Sequence, residues 1–453
     1  MPAKKYHLVT LGCQMNKSDS ERARTLLEGL GFGAATDETD ADFILINTCS
    51  VRQSAEDRVF GLVRNFAKLR ERNPRLLIGV TGCMAGRDRD GKLRRKLPDV
   101  DLFFPTRDLT QLSRLLAEHD PELVNAGEVL DDYLKLAPKS AGGASAYVVV
   151  QTGCNKFCTY CVVPHARGLE QNRPVADILA EINARVAEGA LEIILLGQAV
   201  NAYRATDPGT FSPANPYKDH FAALLWEINQ IDGVKRIHYT APHPLNMTDE
   251  VIDALALPKH VNYLHLPVQA GDDEVLRRMN RRQTHAELLA IFDKVKARKP
   301  GIALGTDIIV GFCGETVEQF ERTVDLYREV DFDISYTAIY SPRTGTVAHK
   351  IWPDDVPREE KRRRWNVLQN LMEETALRKN QAYVGQEVEV LVDACRPRQV
   401  TNSKGERETV LTCTGNSREL KVVAFPGTPD LVGQLVKVKV NRVEEWTLFG
   451  NLV

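Results

Sequence analysis

Three cysteines at C-x3-C-x2-C spacing, in Val150-Gln-Thr-Gly-Cys154-Asn-Lys-Phe-Cys158-Thr-Tyr-Cys161-Val-Val-Pro-His165, constrain this chain more than any other stretch. They follow an apolar run at 147–150 that reads as a short strand, so the loop leaving that strand must carry all three. Three thiolates on one short loop can hold three irons of a [4Fe-4S] cluster, which ordinarily takes four cysteine ligands. The iron left without a protein ligand can bind and activate a small molecule, as an open zinc site does. Structural zinc is the bland alternative. It wants a second pair of ligands downstream, and His165, which follows a Val-Val-Pro turn toward the surface, does not supply one. The spacing favours the cluster.

A chain of 453 residues is too long for one ordinary domain and predicts two or three. With 43% apolar and 26% charged residues it can bury a full core, which excludes wholesale disorder. The net charge of -2 gives no bulk attraction for nucleic acid, so an RNA partner would need local basic patches. No apolar signal region opens the chain, and no stretch reaches the roughly 18 apolar residues of a membrane helix. Nine cysteines without such a signal read as reduced thiols in a cytoplasmic protein rather than a disulfide framework.

The N-terminal part has a β-α rhythm. Tyr6-His-Leu-Val-Thr-Leu11 is a strand ending at Gly12-Cys13, and Ser18-Asp-Ser-Glu21 fits a capping box for the helix that follows. Asp42-Phe-Ile-Leu-Ile-Asn47 is a second strand ending at Thr48-Cys49. Val51, Ala55, Val59, Leu62, Phe66 and Leu69 then recur at helical spacing. Leu76-Leu-Ile-Gly-Val80 is a third strand, ending at Thr81-Gly82-Cys83. Cys13, Cys49 and Cys83 thus hold the same place in three successive units. The carboxyl ends of parallel strands form the ligand edge of such a sheet, so the three should converge. Free cysteines are usually buried as small hydrophobes. These stand beyond the apolar runs, beside Gly, Thr and Ser, and we read them as a second cluster site with an open iron. The charge-dense segment 87–96 reads as a solvated face, and the composition of 138–145 marks a linker.

Strand-like runs at 147–151, 192–196, 236–240, 263–267, 303–310 and 334–339 alternate with helical patterns at 175–188, 221–231, 249–255, 273–279, 286–297 and 317–330. Six β-α units make a parallel α/β sheet, doubly wound or an incomplete barrel, with function at the strands' carboxyl ends. Those ends carry Gly197-Gln198 with Asn201, Pro242-His243, Gln269, Gly311 and Ser341-Pro342-Arg343. The planar fork of Arg343 suits a phosphate or carboxylate. Arg277-Arg278, Arg281-Arg282 and Lys361-Arg-Arg-Arg364 could track phosphates, the last group on a long amphipathic pattern at 359–381 whose solvated face is an equal reading. From Tyr383 onward, period-two strands at 387–392, 410–413, 421–425 and 435–440 predict a small antiparallel β-barrel of the kind that binds single-stranded nucleic acid. There Trp446 and Phe449 are candidates for stacking or for the core, and Cys395 and Cys413 read as ordinary strand thiols.

The C-x3-C-x2-C motif with Tyr160 before its last cysteine resembles the radical S-adenosylmethionine (SAM) superfamily. Gly12-Cys13-Gln-Met-Asn16, Asn47-Thr48-Cys49-Ser-Val-Arg52 and Thr81-Gly82-Cys83-Met84 resemble the methylthiotransferases, as do Leu264-His-Leu-Pro-Val-Gln269, Asp307-Ile-Ile-Val-Gly-Phe312 and Tyr340-Ser-Pro-Arg343. The C-terminal part resembles a TRAM domain. Gln-Met-Asn points within the family to the MiaB branch, which acts on tRNA. Two departures stand out: Cys313 replaces the usual Pro and reads as a loop thiol without a role, and 168–174 lacks a Ser before Arg-Pro.

The resemblance implies an N-terminal methylthiotransferase domain (4–137), a radical SAM core (145–382) built as a partial (β/α)6 barrel, and a TRAM domain (383–453). It also implies two [4Fe-4S] clusters, one on Cys154, Cys158 and Cys161 and an auxiliary one on Cys13, Cys49 and Cys83. SAM would chelate the open iron, with Tyr160, Gly197, Gln198, Gln269 and Arg343 as cofactor or substrate contacts. A 5'-deoxyadenosyl radical would remove hydrogen from C2 of N6-isopentenyladenosine at position 37 of the tRNA anticodon loop, and the auxiliary cluster would deliver a methylthio group. Such a C–H bond resists acid–base activation, so cofactors must carry the chemistry. The base must also leave its stack to be reached. The implied partners are tRNA, an external electron donor and a sulfur or cluster supply system, for a cytoplasmic monomer. The rivals are the same chemistry on threonylcarbamoyl-adenosine or on a ribosomal-protein aspartate, and a non-catalytic RNA-binding protein with structural metal.

Overall fold

The structure, a computed structural model, describes residues 4–50, 53–119, 133–136, 138–139, 142–401 and 407–453. The expectations placed on Val51 and Arg52, and part of the 138–145 linker, lie outside the described residues.

The N-terminal strands are β1 (Lys5–Leu11), β2 (Gly33–Ala34), β3 (Phe43–Thr48), β4 (Leu77–Gly82) and β5 (Leu102–Phe103). They form one parallel sheet in the order β2-β1-β3-β4-β5. The chain leaves β1 for β2 on one side and crosses to β3 on the other, the doubly wound arrangement, so its switch point lies between β1 and β3. The three long strands are those expected; β2 and β5 are too short to leave a periodic signal. The first helix, Gln14–Gly29, begins at Cys13 itself. Ser18-Asp-Ser-Glu21 is therefore not its cap: Ser18, Asp19 and Ser20 lie inside the helix and are buried. Segment 87–96 is a solvated face, as expected, apart from the Arg87 side chain, which is 9% exposed and pairs with Glu56 at 2.7 Å.

The central strands are β6 (Ser145–Val149), β9 (Glu192–Leu196), β10 (Arg236–Tyr239), β11 (Tyr263–His265), β12 (Ala303–Val310) and β13 (Ile334–Ile339). They pair in parallel as β6-β9-β10 and β11-β12-β13, with a single bridge, Ile237 to His260, between the two sets. Between β6 and β9, a short antiparallel pair, β7 (Gln151–Thr152) and β8 (Gln171–Asn172), pinches the neck of the cysteine loop. Successive side chains of a strand face opposite ways, and the two parities have different partners here. Val148, Ile193 and Leu195 pack in the central core with the helices Val175–Ala187 and His220–Gln230. Val149, Ile194 and Leu196 join the N-terminal core beside Met15, Ala23 and Leu27. The first helix of the chain thus lies against the other face of the central strands. Cys313 lies in the loop after β12, as expected, with its side chain buried in the central core.

The long helix Arg358–Gln381 leads to β14 (Glu387–Thr401), β15 (Arg407–Asn416), β16 (Val422–Pro426), β17 (Leu435–Val443) and β18 (Thr447–Leu452). Their pairings return on themselves as a closed barrel in the order β14-β15-β16-β18-β17. A bulge at Val392/Ala394 lets β14 turn from β17 to β15. The barrel is not wholly antiparallel: β16 and the unexpected last strand β18 pair in parallel. Lys361 and Arg364 do not face phosphates either. Both are buried, Lys361 against Asp354 and Arg364 against Glu315 at 2.7 Å. Among the described residues no helix is long and apolar enough to cross a membrane.

Candidate functional site

Cys13, Cys49 and Cys83 follow β1, β3 and β4, three neighbours in the sheet. Two glycines let them approach. A Cβ on Gly12 would stand 2.9 Å from Cys49 Cβ and overlap the Asn16 amide oxygen. Gly82 has φ +101°, and a Cβ there would overlap the Thr48 carbonyl oxygen. A buried amide pair locks the geometry: Asn16 Nδ2 donates to Asn47 Oδ1 at 3.0 Å, and Asn47 Nδ2 to the Asn16 carbonyl at 2.8 Å. This is what the Asn of Gln-Met-Asn does. Hydrogen bonding from Cys49, opposed by burial and helped by the nearby Arg167 charge, pulls the Cys13 thiol down to about 6. Burial pushes Cys83 up, against the same arginine.

In the second triad each sulfur meets one N–H. The Lys156 amide donates to Cys154 Sγ at 3.5 Å, the Val163 amide to Cys161 Sγ at 3.4 Å, and Arg281 Nη1 to Cys158 Sγ at 3.7 Å. Burial pushes the Cys154 thiol up and the Cys161 thiol to about 12. A buried Cys154 and half-buried Cys158 and Cys161, each furnished with an N–H donor, fit thiolates bound to iron, which such hydrogen bonds stabilise. Among the described residues no three His, Cys, Asp or Glu side chains stand close enough to share one metal ion.

The segments that carry the two triads meet. The helix Cys83–Arg87 packs on the helix Val163–Ala166 that follows Cys161, with Gly86 close enough that a Cβ would overlap the Ala166 carbonyl. Arg167 Nη2 then reaches Asp19 Oδ2 at 2.5 Å, both side chains being buried. A cavity of about 730 Å³ opens between Cys13 and the inner wall of the central strands, lined among others by Val163, Gln198, His265, Asp307 and Trp446.

The residues singled out from sequence distribute unevenly around it. Gly197 and Gln198 line the cavity, and Gln198 Oε1 is buried without a hydrogen-bond partner. Tyr160 packs edge-to-face on Phe312, with ring centroids 6.4 Å apart, behind the cysteine loop. Gln269 holds a left-handed backbone (φ 74°) and bridges to Ile308; it is not on the cavity wall. Arg343 is half-buried near Glu56, Arg87 and Cys49, beside the N-terminal triad; burial pulls its guanidinium below its usual range. Trp446, 45% exposed, belongs to the cavity rim rather than the core. One face of the Phe449 ring is covered by Arg442, 3.7 Å from its centroid.

Sequence reasoning missed the inner wall. Tyr263 hydroxyl and His265 Nδ1 lie 3.0 Å apart, and His265 Nε2 is 3.3 Å from Asp307 Oδ2. His265 and Asp307 lie in segments that carry the family resemblance, yet no role attaches to them or to Tyr263 from sequence; an inward polar residue on alternate strand positions is the available signal. Gln151 was missed too: its Oε1 accepts from the Ala199 amide at 3.3 Å, steadying the Gly197-Gln198 turn.

A parallel α/β centre with a C-x3-C-x2-C loop at the carboxyl end of its first strand defines the radical SAM class. The Radical SAM superfamily matches residues 148–327, Uncharacterized protein family UPF0004 matches 5–105, and the TRAM domain matches 412–453. Over its whole length the chain is 41% identical to the tRNA-2-methylthio-N(6)-dimethylallyladenosine synthase of Carboxydothermus hydrogenoformans, and covers 100% of that protein. It is 39% identical over 99% of its length to the Yersinia pseudotuberculosis enzyme of the same name, covering 92% of it. The chain belongs to the tRNA-2-methylthio-N(6)-dimethylallyladenosine synthase family. Among solved structures it shares its fold with the radical SAM methyltransferase TsrM from Kitasatospora setae (TM-score 0.54, 13% identity, 77% of each chain). Apo OxsB is similar at a TM-score of 0.52 and 12% identity, over 93% of this chain and 64% of that one.

Proposed function

We propose that this chain converts N6-isopentenyladenosine at position 37 of tRNA to its 2-methylthio derivative. The observation that carries the reading is the packing of the helix that begins at Cys83 on the helix that follows Cys161, beside a cavity that Cys13 lines. The names of the full-length relatives and the TRAM match supply the tRNA substrate. In this reading the chain divides into a methylthiotransferase domain (4–137), a radical SAM core (145–382) shaped as a partial (β/α)6 barrel, and a TRAM domain (383–453) that holds the RNA.

Cys154, Cys158 and Cys161 hold one [4Fe-4S] cluster, and Cys13, Cys49 and Cys83 hold the other. When bound, the clusters and SAM supply one-electron chemistry and sulfur that no side chain of this protein can offer. The protein's own residues position and enclose. Lys156 and Val163 amides fix the thiolates of one loop, while Asn16 and Asn47 fix the approach of the other. Gln198 offers its free amide oxygen to the SAM or substrate side of the cavity. Tyr160 backs the cysteine loop, Gln269 orders the neighbouring strand end, and Arg343 balances charge beside the N-terminal triad. The splayed adenine enters where Trp446 lines the rim. An external electron donor and a sulfur or cluster supply system serve a cytoplasmic monomer.

The test uses the anaerobically reconstituted chain, a reductant, SAM and an anticodon stem-loop carrying N6-isopentenyladenosine, followed by mass spectrometry of the digested nucleosides. We expect the 2-methylthio nucleoside from the wild type. Cys13→Ala should lose that product and still cleave SAM. Product only from a threonylcarbamoyl-adenosine stem-loop would overturn the substrate assignment, and no SAM cleavage by the wild type would overturn the enzyme.

A further inference from the structure

A buried arginine without a counter-ion lies against the cysteine loop. Arg281 follows the helix Asp273–Arg278, in a turn where Asn280 and Arg282 both adopt left-handed backbone (φ 59° and 60°). The turn is clamped to the loop, since Asn280 Nδ2 donates to the carbonyls of Lys156 at 3.2 Å and Phe157 at 3.0 Å. Arg281 is 4% exposed. Its Nη2 donates to the Pro267 carbonyl at 2.5 Å, its Nη1 to Cys158 Sγ at 3.7 Å, and its Nε has no partner.

The contrast with the other buried arginines is what gives this weight. Arg22 and Arg173 share Glu181, Arg185 reaches Glu21, Arg236 reaches Glu389 and Arg364 reaches Glu315. Among the described residues no carboxylate is in ion-pair contact with Arg281. A guanidinium keeps its proton under all ordinary conditions, so it cannot escape burial by neutralising. A buried cation is tolerated only with a compensating anion. Three thiolates on a cluster leave an excess of negative charge where Arg281 points, and uptake of an electron adds to it.

We propose that Arg281 is the counter-ion of the cluster held by Cys154, Cys158 and Cys161, and that it favours that cluster's reduced state. The inference rests on the reading of these three cysteines as cluster ligands. A fixed positive charge and an N–H···S bond both stabilise the form with the extra electron, so removing them moves the reduction potential to more negative values. Arg281 is a tuning and positioning residue; no bond of the reaction is made to it.

The experiment is a redox titration followed by electron paramagnetic resonance, on full-length protein in a Cys13/Cys49/Cys83→Ala background so that one cluster reports. It is run first without SAM. Arg281→Met should shift the midpoint to more negative potential, with at least a tenfold fall in the ratio of reduced to oxidised cluster at a fixed applied potential. Arg281→Lys, which keeps charge but not the fork, should fall between. If Arg281→Met holds no iron, the Lys variant against the parent decides. An unchanged midpoint would overturn the proposal. So would an unchanged midpoint with weakened SAM binding, which would assign the charge to the SAM carboxylate. A parent protein that itself holds no iron would instead sink the cluster reading on which the proposal rests.

Discussion

At the residue scale, the N-terminal triad depends on atoms that are missing as much as on the thiols. Gly82 combines a left-handed backbone with a Thr48 carbonyl in the place of a Cβ, whereas Gly345 has φ +95° and nothing within 4 Å. Both Ala variants meet the backbone penalty, about 1 kcal/mol. Only Gly82→Ala must also move a strand carbonyl away, bringing its cost to about 3 kcal/mol. Denaturant unfolding of the metal-free protein should separate the two by roughly 2 kcal/mol. The Gly82 variant should also lose the iron of the N-terminal site while keeping that of the other. Equal stability losses would show that the Thr48 contact relaxes freely.

At the element scale, the C-terminal barrel is tied to the central strands by ions at their starts. Arg236, at the first residue of β10, is fully buried against Glu389 of β14, and Asp333, just before β13, accepts from Lys379 at 2.8 Å and Lys421 at 3.0 Å. Burial raises the Asp333 carboxyl, but the two lysines and the Leu304 amide outweigh it and hold the group below its usual range. Its folded value being lower than its unfolded one, the stability it contributes is complete above the unfolded value, near pH 4. That contribution fades as pH falls through the folded value. Asp333→Asn should therefore cost about 3 kcal/mol at pH 7, as for one partner lost from a buried pair, and progressively less below pH 4. Thermal melts of both proteins across that range test this; a gap independent of pH would exclude the carboxylate charge as its source.

Strands with long apolar runs, such as β3 and β12, were legible in the sequence because burial on both faces leaves a continuous signal. The start of the first helix was not. A cysteine is a poor cap by propensity, and Cys13 serves only because Asn16 answers its amide at 3.3 Å. The last strand, β18, was hidden by the polar residues around Trp446, and its parallel pairing with β16 is a property of closure that no local pattern encodes. In the site, the cysteines stood out because three share one short loop and three follow successive strands. The His265–Asp307 wall and the counter-ion Arg281 were not, because burial of a polar side chain depends on partners distant in sequence.

At the scale of the whole molecule, two bodies that read as separate domains share one interior. The hydrophobic cluster of the first sheet continues through Met15 and Leu27 onto Val149, Ile194 and Leu196 of the central strands. At the same seam Asp19, inside the first helix, takes Arg167 from the end of the cysteine loop, and the Tyr133 hydroxyl donates to the same carboxylate. Burying that pair makes sense if it fixes how the two triads face each other, since an ion pair taken out of water gives little net stability. Breaking it from one side leaves a buried charge. Asp19→Ala should thus destabilise by about 4 kcal/mol, Arg167→Met by a similar amount, and the double variant by far less than the sum. A double-mutant cycle on the metal-free protein should return a coupling of about 2 kcal/mol or more. If the pair also sets the orientation of the triads, the double variant should keep iron at both sites yet lose methylthiolation while SAM cleavage continues. Retained methylthiolation would mean that the shared apolar interior alone aligns the two halves of the site.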